Sequence, residues 1–118
     1  IDLPATVLDI AGLDTSLVED GRSIEVIDLR SISPLDVPTV AASVAKTGRL
    51  IVAHEAPTFG GMGGELAAAI TERCFYSLQA PVIRVGGYYM PYPVSRVEEE
   101  YVPDIDRILE AVDRAFDY

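Results

Sequence analysis

His54 and Glu55 form the adjacent acid–base pair of this sequence, directly after the apolar run Leu50-Ile-Val-Ala53. A histidine beside a carboxylate can move protons, yet neighbours on a strand project to opposite faces and cannot readily act on one atom. With no second histidine in the chain, no nucleophile partner and no second ligand, a hydrogen-bonded structural or interface role is favoured over a catalytic one. Five residues on, Gly60-Gly-Met-Gly-Gly64 stands between an expected strand and an expected helix, where backbone N–H groups can bind an anion. As a dinucleotide fingerprint it fails: Leu66 stands where the third glycine belongs, and no acidic residue closes a strand about twenty residues further on. Sharp turning and close backbone approach are the favoured use of these glycines, with a phosphate site as the alternative.

Three further groups could bind rather than react. Asp28 and Arg30 alternate onto one face at the end of a strand, which suits a buried or interfacial ion pair. Tyr88, Tyr89 and Tyr92 could stack on a ligand, although tyrosine, with its large area and polar tip, is more often interface packing. The third group is acidic. From Glu98 to Tyr118, eight acids face Arg107 and Arg114 alone. Asp106 with Glu110 and Asp113 with Asp117 are like-charge pairs at i,i+4, and Asp117 with the terminal carboxylate opposes the helix dipole. Such local rule-breaking suits a basic partner, and a solvated acidic face accounts for the charges equally well.

The elements that must position these groups alternate. Ser23 to Leu29 reads as a β-branched strand, and Ser33-Pro34-Leu35-Asp36 stops it and opens a helix over Val37 to Lys46, with Asp36 as N-cap and Gly48 at its end. Leu50 to His54 is a second strand. Leu66, Ile70, Cys74 and Leu78, spaced by four, predict a core-facing stripe on a helix from Gly63 to Leu78. Ala80-Pro81 breaks that helix, Val82 to Val85 is a third strand, Tyr88 to Val94 an ordered extended connection, and Asp104 to Phe116 a last helix with Ile105, Ile108, Leu109, Val112 and Phe116 inward. Ile1 to Asp20 predicts a further helix interrupted at Gly12, followed by an Asp20-Gly21 turn. Strand–helix alternation with short connections implies an α/β fold of parallel strands joined by right-handed crossovers. No strand precedes Ser23 in this reading, which predicts one domain cut from a longer protein.

The chain has 118 residues, enough for one domain with its own core. A net charge of −10 with nine Lys and Arg argues against nucleic acid, whose phosphates need a basic face. One cysteine, Cys74, excludes an internal disulfide and a cysteine zinc cluster. Without a signal peptide or a membrane-length apolar run, the expectation is a reducing compartment and no membrane.

Five blocks in order carry a resemblance: Val26-Ile-Asp-Leu-Arg-Ser-Ile-Ser-Pro-Leu-Asp36, Lys46-Thr-Gly-Arg-Leu-Ile-Val-Ala-His-Glu-Ala-Pro57, Gly60-Gly-Met-Gly-Gly-Glu-Leu-Ala67, Ala80-Pro-Val-Ile-Arg-Val85 and Tyr101-Val-Pro-Asp-Ile-Asp-Arg-Ile-Leu-Glu-Ala-Val112. Together they resemble the transketolase-C-type C-terminal domain of the beta subunit of thiamine-diphosphate-dependent 2-oxo acid dehydrogenases, acting on pyruvate or branched-chain substrates. The resemblance implies a three-layer fold, a mostly parallel twisted sheet with helices on both faces. It implies an oxidoreductase in which thiamine diphosphate and Mg lie between the alpha subunit and the N-terminal part of beta, so that this domain binds no cofactor or metal and has no catalytic residue. Glu55 is therefore not the cofactor-activating glutamate.

The implied partners are the alpha subunit, a second beta subunit and the subunit-binding domain of the dihydrolipoyl acyltransferase, a basic module. Asp113, Asp117, Tyr118 and Gln79 are the implied acyltransferase contacts, Gln79 replacing a residue that is often acidic in relatives. Arg30, His54, Glu55, Gly61 and Gly63 are the expected subunit-interface residues. The implied setting is the bacterial cytoplasm or the mitochondrial matrix. Two alternatives stand beside this reading: an anion- or nucleotide-binding module using Gly60 to Gly64, and the equivalent domain of a transketolase or a deoxyxylulose phosphate synthase.

Overall fold

The computed structural model describes residues 24–118 and the backbone of residues 5–9. Four strands, β1 (Ala5–Asp9), β2 (Ile24–Asp28), β3 (Leu50–Pro57) and β4 (Ile83–Gly87), form one sheet in the order β2-β1-β3-β4. All three pairings are parallel. The helix expected over Ile1 to Asp20 is overturned at Ala5–Asp9, which is a strand hydrogen-bonded to β2 on one side and β3 on the other. Ala-Thr-Val-Leu-Asp is too short an apolar run for periodicity to separate helix from strand, and two waiting strand partners decide it. The strand that the sequence reading found missing is thus present and central. The rest of that expected helix, residues 1–4 and 10–20, lies outside the described residues, as do Gly21 and Ser23.

Four helices complete the described part: α1 (Val37–Thr47), α2 (Met62–Cys74), the short α3 (Glu98–Tyr101) and α4 (Ile105–Phe116). Asp36 caps α1, accepting from the Thr39 amide at 3.2 Å, and Gly48, in the left-handed region at φ 74°, closes it with its N–H on Val44 O. The stripe on α2 is buried at Leu66, Ile70 and Cys74, but the helix stops at Cys74, so Leu78 packs from the turn beyond it. In α4, Ile108 and Val112 are buried, whereas Ile105, in the first turn, is half exposed at 49 %.

Two cores result, one on each sheet face. Leu29, Val40, Val44, Leu50, Val52, Leu66, Ile70 and Cys74 pack α1 and α2 on one side. Ile51, Ala53, Ile83, Val85, Ile108, Ala111, Val112 and Ala115 pack α4 on the other. Alternation along β3 feeds both: Leu50 and Val52 face one core, Ile51 and Ala53 the other.

Candidate functional site

Two arginines fix the direction of α4 and so define two ends of the domain. Arg107, in its first turn, donates from Nη2 to Gly86 O at 2.6 Å, at the carboxyl end of β4, with its guanidinium 4.9 Å from the centre of the Tyr88 ring. Arg49, where β3 begins, donates from Nε to Ala115 O at 3.0 Å and lies 4.4 Å from the centre of the Phe116 ring. Helix α4 therefore runs antiparallel to the strands, with its negative end over a buried guanidinium.

The Arg49 guanidinium also donates from Nη1 to Gln79 Oε1 at 2.9 Å, while the Gln79 amide donates to Gly48 O at 2.7 Å. One buried cation thus joins the segment before β4 to the end of α4. Gln79 thereby comes to the same end of the domain as Asp113, Asp117 and Tyr118, which lie far along the sequence, and all four are exposed. Arg114, Asp117 and Tyr118 border a shallow hollow of about 240 Å³ there. Arg49 is not among the residues that the sequence pattern singles out. What could have marked it is its position, an arginine at the mouth of an apolar strand, where a charge survives burial only with partners.

At the opposite, carboxyl end stands His54, 4 % exposed. Its Nδ1 lies 2.8 Å from Ala56 O, an acceptor only, so Nδ1 carries the proton and Nε2 is left as an acceptor. Nε2 is buried and has no hydrogen-bond partner among the described residues. Glycines enclose the ring. A Cβ at Gly63 would lie 2.5 Å from Nε2, one at Gly61 2.8 Å from Cε1, and one at Gly86 2.9 Å from Cε1. The space that a glycine-rich loop offers to a phosphate is here filled by the protein's own imidazole; the expected close approach was of backbone, and at Gly63 it is this side chain that comes close. Gly60 is different: its φ of 73° makes the turn, and a Cβ there would meet nothing.

Glu55 points outward, as alternation requires. Beside it, partial desolvation of the Tyr92 phenol, then hydrogen bonding to and the negative charges of the Glu55 and Glu98 carboxylates, raise its pKa above the ordinary tyrosine value. Tyr101, delivered by α3, is buried under Tyr88 and Tyr92 at centroid distances of 6.4 and 5.0 Å, and Phe59 meets Tyr89 at 4.8 Å. The tyrosine segment is therefore ordered packing over the sheet end, with Phe59 and Tyr89 left largely open. Asp28 and Arg30 do pair, at 3.0 Å, but the pair is exposed, not buried, and Arg30 has left the strand at φ 54°. It lies at the β2 edge, two strands away from His54.

These residues do not fit thiamine diphosphate with its metal. No cluster of three or more His, Cys, Asp or Glu able to hold a metal ion occurs among the described residues, and the one phosphate-like loop is closed by His54. Nor is any described helix long and apolar enough to cross a membrane.

The transketolase C-terminal domain family matches residues 5–108. The chain belongs to that family. Its beginning coincides with β1, and the match takes in Arg49 and His54 and ends in the first turn of α4, before the Ala115 and Phe116 that Arg49 contacts. Among similar proteins, the pyruvate dehydrogenase E1 component subunit beta of Leifsonia xyli is 55 % identical over 100 residues, covering 85 % of this chain and 30 % of that protein. The 3-methyl-2-oxobutanoate dehydrogenase subunit beta of Mycobacterium tuberculosis is 48 % identical over 113 residues, 96 % of this chain and 32 % of that protein. The mitochondrial 2-oxoisovalerate dehydrogenase subunit beta 2 of Arabidopsis thaliana is 45 % identical over the same length, 31 % of its own. The chain thus spans about a third of the length of these relatives.

Proposed function

We propose that this transketolase C-terminal domain is the assembly domain of the beta subunit of a thiamine-dependent 2-oxo acid dehydrogenase, oxidising pyruvate or branched-chain 2-oxo acids. In that role the cofactor and Mg are held by the alpha subunit and the remainder of beta. This domain packs against the alpha subunit and a second beta subunit and docks the subunit-binding domain of the acyltransferase. The observation that carries the docking role is the Arg49 staple, which gathers Gln79 and the end of α4 into one exposed surface. Asp113 and Asp117 make that surface acidic, with Tyr118 beside them, and a basic module is the partner it suits. His54, Gly61 and Gly63 act from within: their mutual packing shapes the carboxyl end, where Glu55 and the open aromatics Phe59 and Tyr89 meet the neighbouring subunit. Arg30 contributes at the β2 edge.

The names of the relatives support the dehydrogenase reading over a transketolase or a synthase, and bacterial and mitochondrial relatives are both among them. The test is charge reversal in the whole heterotetramer. With Asp113→Lys and Asp117→Lys, capture by the acyltransferase weakens by about 1 to 5 kcal/mol, less at high salt, while decarboxylation with an artificial electron acceptor is unchanged. Loss of acceptor-linked turnover with capture intact contradicts the role.

A further inference from the structure

Between the tyrosine segment and α3 opens a hollow of about 370 Å³, within the range of small-ligand cavities. Tyr88, Tyr101, Met90, Pro93 and Val97 line it, and Glu100 adds the one carboxylate of the lining. Tyr88, Met90 and Val97 stand 52, 50 and 42 % exposed around it. Half-exposed apolar side chains gathered about one hollow mark a binding surface.

Its aromatic walls are fixed before any ligand arrives. Tyr101 is buried, and a Cβ at Gly87 would lie 2.6 Å from its Cζ and Oη, so the ring rests against the end of β4. Tyr88 meets Tyr101 at 6.4 Å with the ring planes 70° apart, which makes a corner of the two. The Arg107 guanidinium lies 4.9 Å from the centre of the Tyr88 ring and is itself held by Gly86 O. Arg107 does not line the hollow; it steadies the ring and shows that this ring accepts a cation. Charge points the same way. Glu55, Glu98, Glu99 and Glu100 outnumber Arg96 and Arg107 about the tyrosine segment, and the charges of Glu55 and Glu98 act on the Tyr92 phenol. Carboxylates and aromatic faces together attract a cation and repel an anion. A primary ammonium brings three donors, for which the lining offers a single carboxylate. A quaternary ammonium has no N–H to satisfy, and its methyl groups pack on rings and on the Met90 side chain.

We infer that the hollow between Tyr88, Met90 and Tyr101 binds a small quaternary ammonium compound, its methyl groups against the two tyrosine rings and its charge opposite Glu100. The site lies at the other end of the domain from Asp113 and Asp117, and it stands or falls independently of acyltransferase docking.

Choline is the probe, titrated into the isotope-labelled chain and followed by the amide resonances. Two controls accompany it: dimethylbutanol, the uncharged carbon isostere of choline, and ethanolamine, which lacks the methyl groups. The expected result is a saturable shift at Tyr88, Met90 and Tyr101 with choline, and binding at least about fivefold weaker with either control. Tyr88→Leu and Glu100→Gln each weaken choline binding by about two- to fivefold. Glu99→Gln, at an exposed carboxylate outside the lining, leaves it unchanged. Circular dichroism checks that the variants fold as the parent does; should Tyr88→Leu disturb the fold, Glu100→Gln and the ligand series decide alone. No saturable shift overturns the inference. So does an isostere or an ethanolamine that binds as tightly as choline, or choline binding that is indifferent to Glu100→Gln.

Discussion

Gly63→Ala is the substitution through which the packing of the carboxyl end can be measured. On an isolated helix it stabilises, since alanine exceeds glycine by up to about 1 kcal/mol in a helix interior. Here the added Cβ arrives 2.5 Å from His54 Nε2, 2.9 Å from Cδ2 and 3.4 Å from Val52 Cγ1. The ring has no room to retreat. Nδ1 is tied to Ala56 O at 2.8 Å, and Cε1 already lies against Gly61 and Gly86. Overpacking of a fixed site costs about 1 to 3 kcal/mol, which outweighs the propensity gain. A net loss of about 1 to 2 kcal/mol follows, several degrees in Tm for a domain of this size. The assay is urea unfolding of four proteins: parent, Gly63→Ala, His54→Ala and the double variant. With the ring gone, Gly63→Ala turns neutral or stabilising, so the double variant loses less than the sum of the two single losses and the cycle gives a non-zero coupling. A Gly63→Ala chain as stable as the parent or more so, with His54 in place, refutes the packing argument.

Other consequences follow from the same contacts. Leu66→Ala and Ile70→Ala, both essentially fully buried, each lower unfolding stability by about 2 to 5 kcal/mol; an unchanged urea midpoint would remove them from the core. Arg49→Met keeps the stem but loses the bonds to Ala115 O and Gln79, costing about 2 to 4 kcal/mol by urea unfolding, and Arg49→Lys, lacking the planar fork, recovers only part. Tyr92, its native pKa raised between Glu55 and Glu98, stabilises the fold below the ordinary phenol pKa of about 10 and loses that contribution as pH rises through the native value. In an alkaline absorbance titration one of the six tyrosines ionises after the others, and Tyr92→Phe removes that late step; loss of an early one instead contradicts the placement.

Where local chemistry decides structure, the sequence was sufficient. Asp36 and Gly48 bound α1, and the spacing of Leu66, Ile70 and Cys74 set the buried face of α2. Strand geometry puts the neighbours His54 and Glu55 on opposite faces, and the structure buries the first and exposes the second. β1 was missed because five residues between two parallel neighbours carry no period of their own, and their partners are distant in sequence. α3 escaped because one turn of Glu-Glu-Glu-Tyr reads as an acidic loop until Tyr101 is seen filling the space over Gly87. The acidic end was legible as composition. Its junction with Gln79 was not, because it depends on one arginine reaching two segments thirty and sixty-six residues away.

The central claim, that this domain docks a basic partner through the end gathered by Arg49, is most directly tested by calorimetric titration with a cognate subunit-binding domain at low and high salt. The account predicts binding that weakens as salt rises and is lost with Asp113→Lys and Asp117→Lys. Absence of heat at low salt, or binding indifferent to both salt and charge reversal, would contradict it.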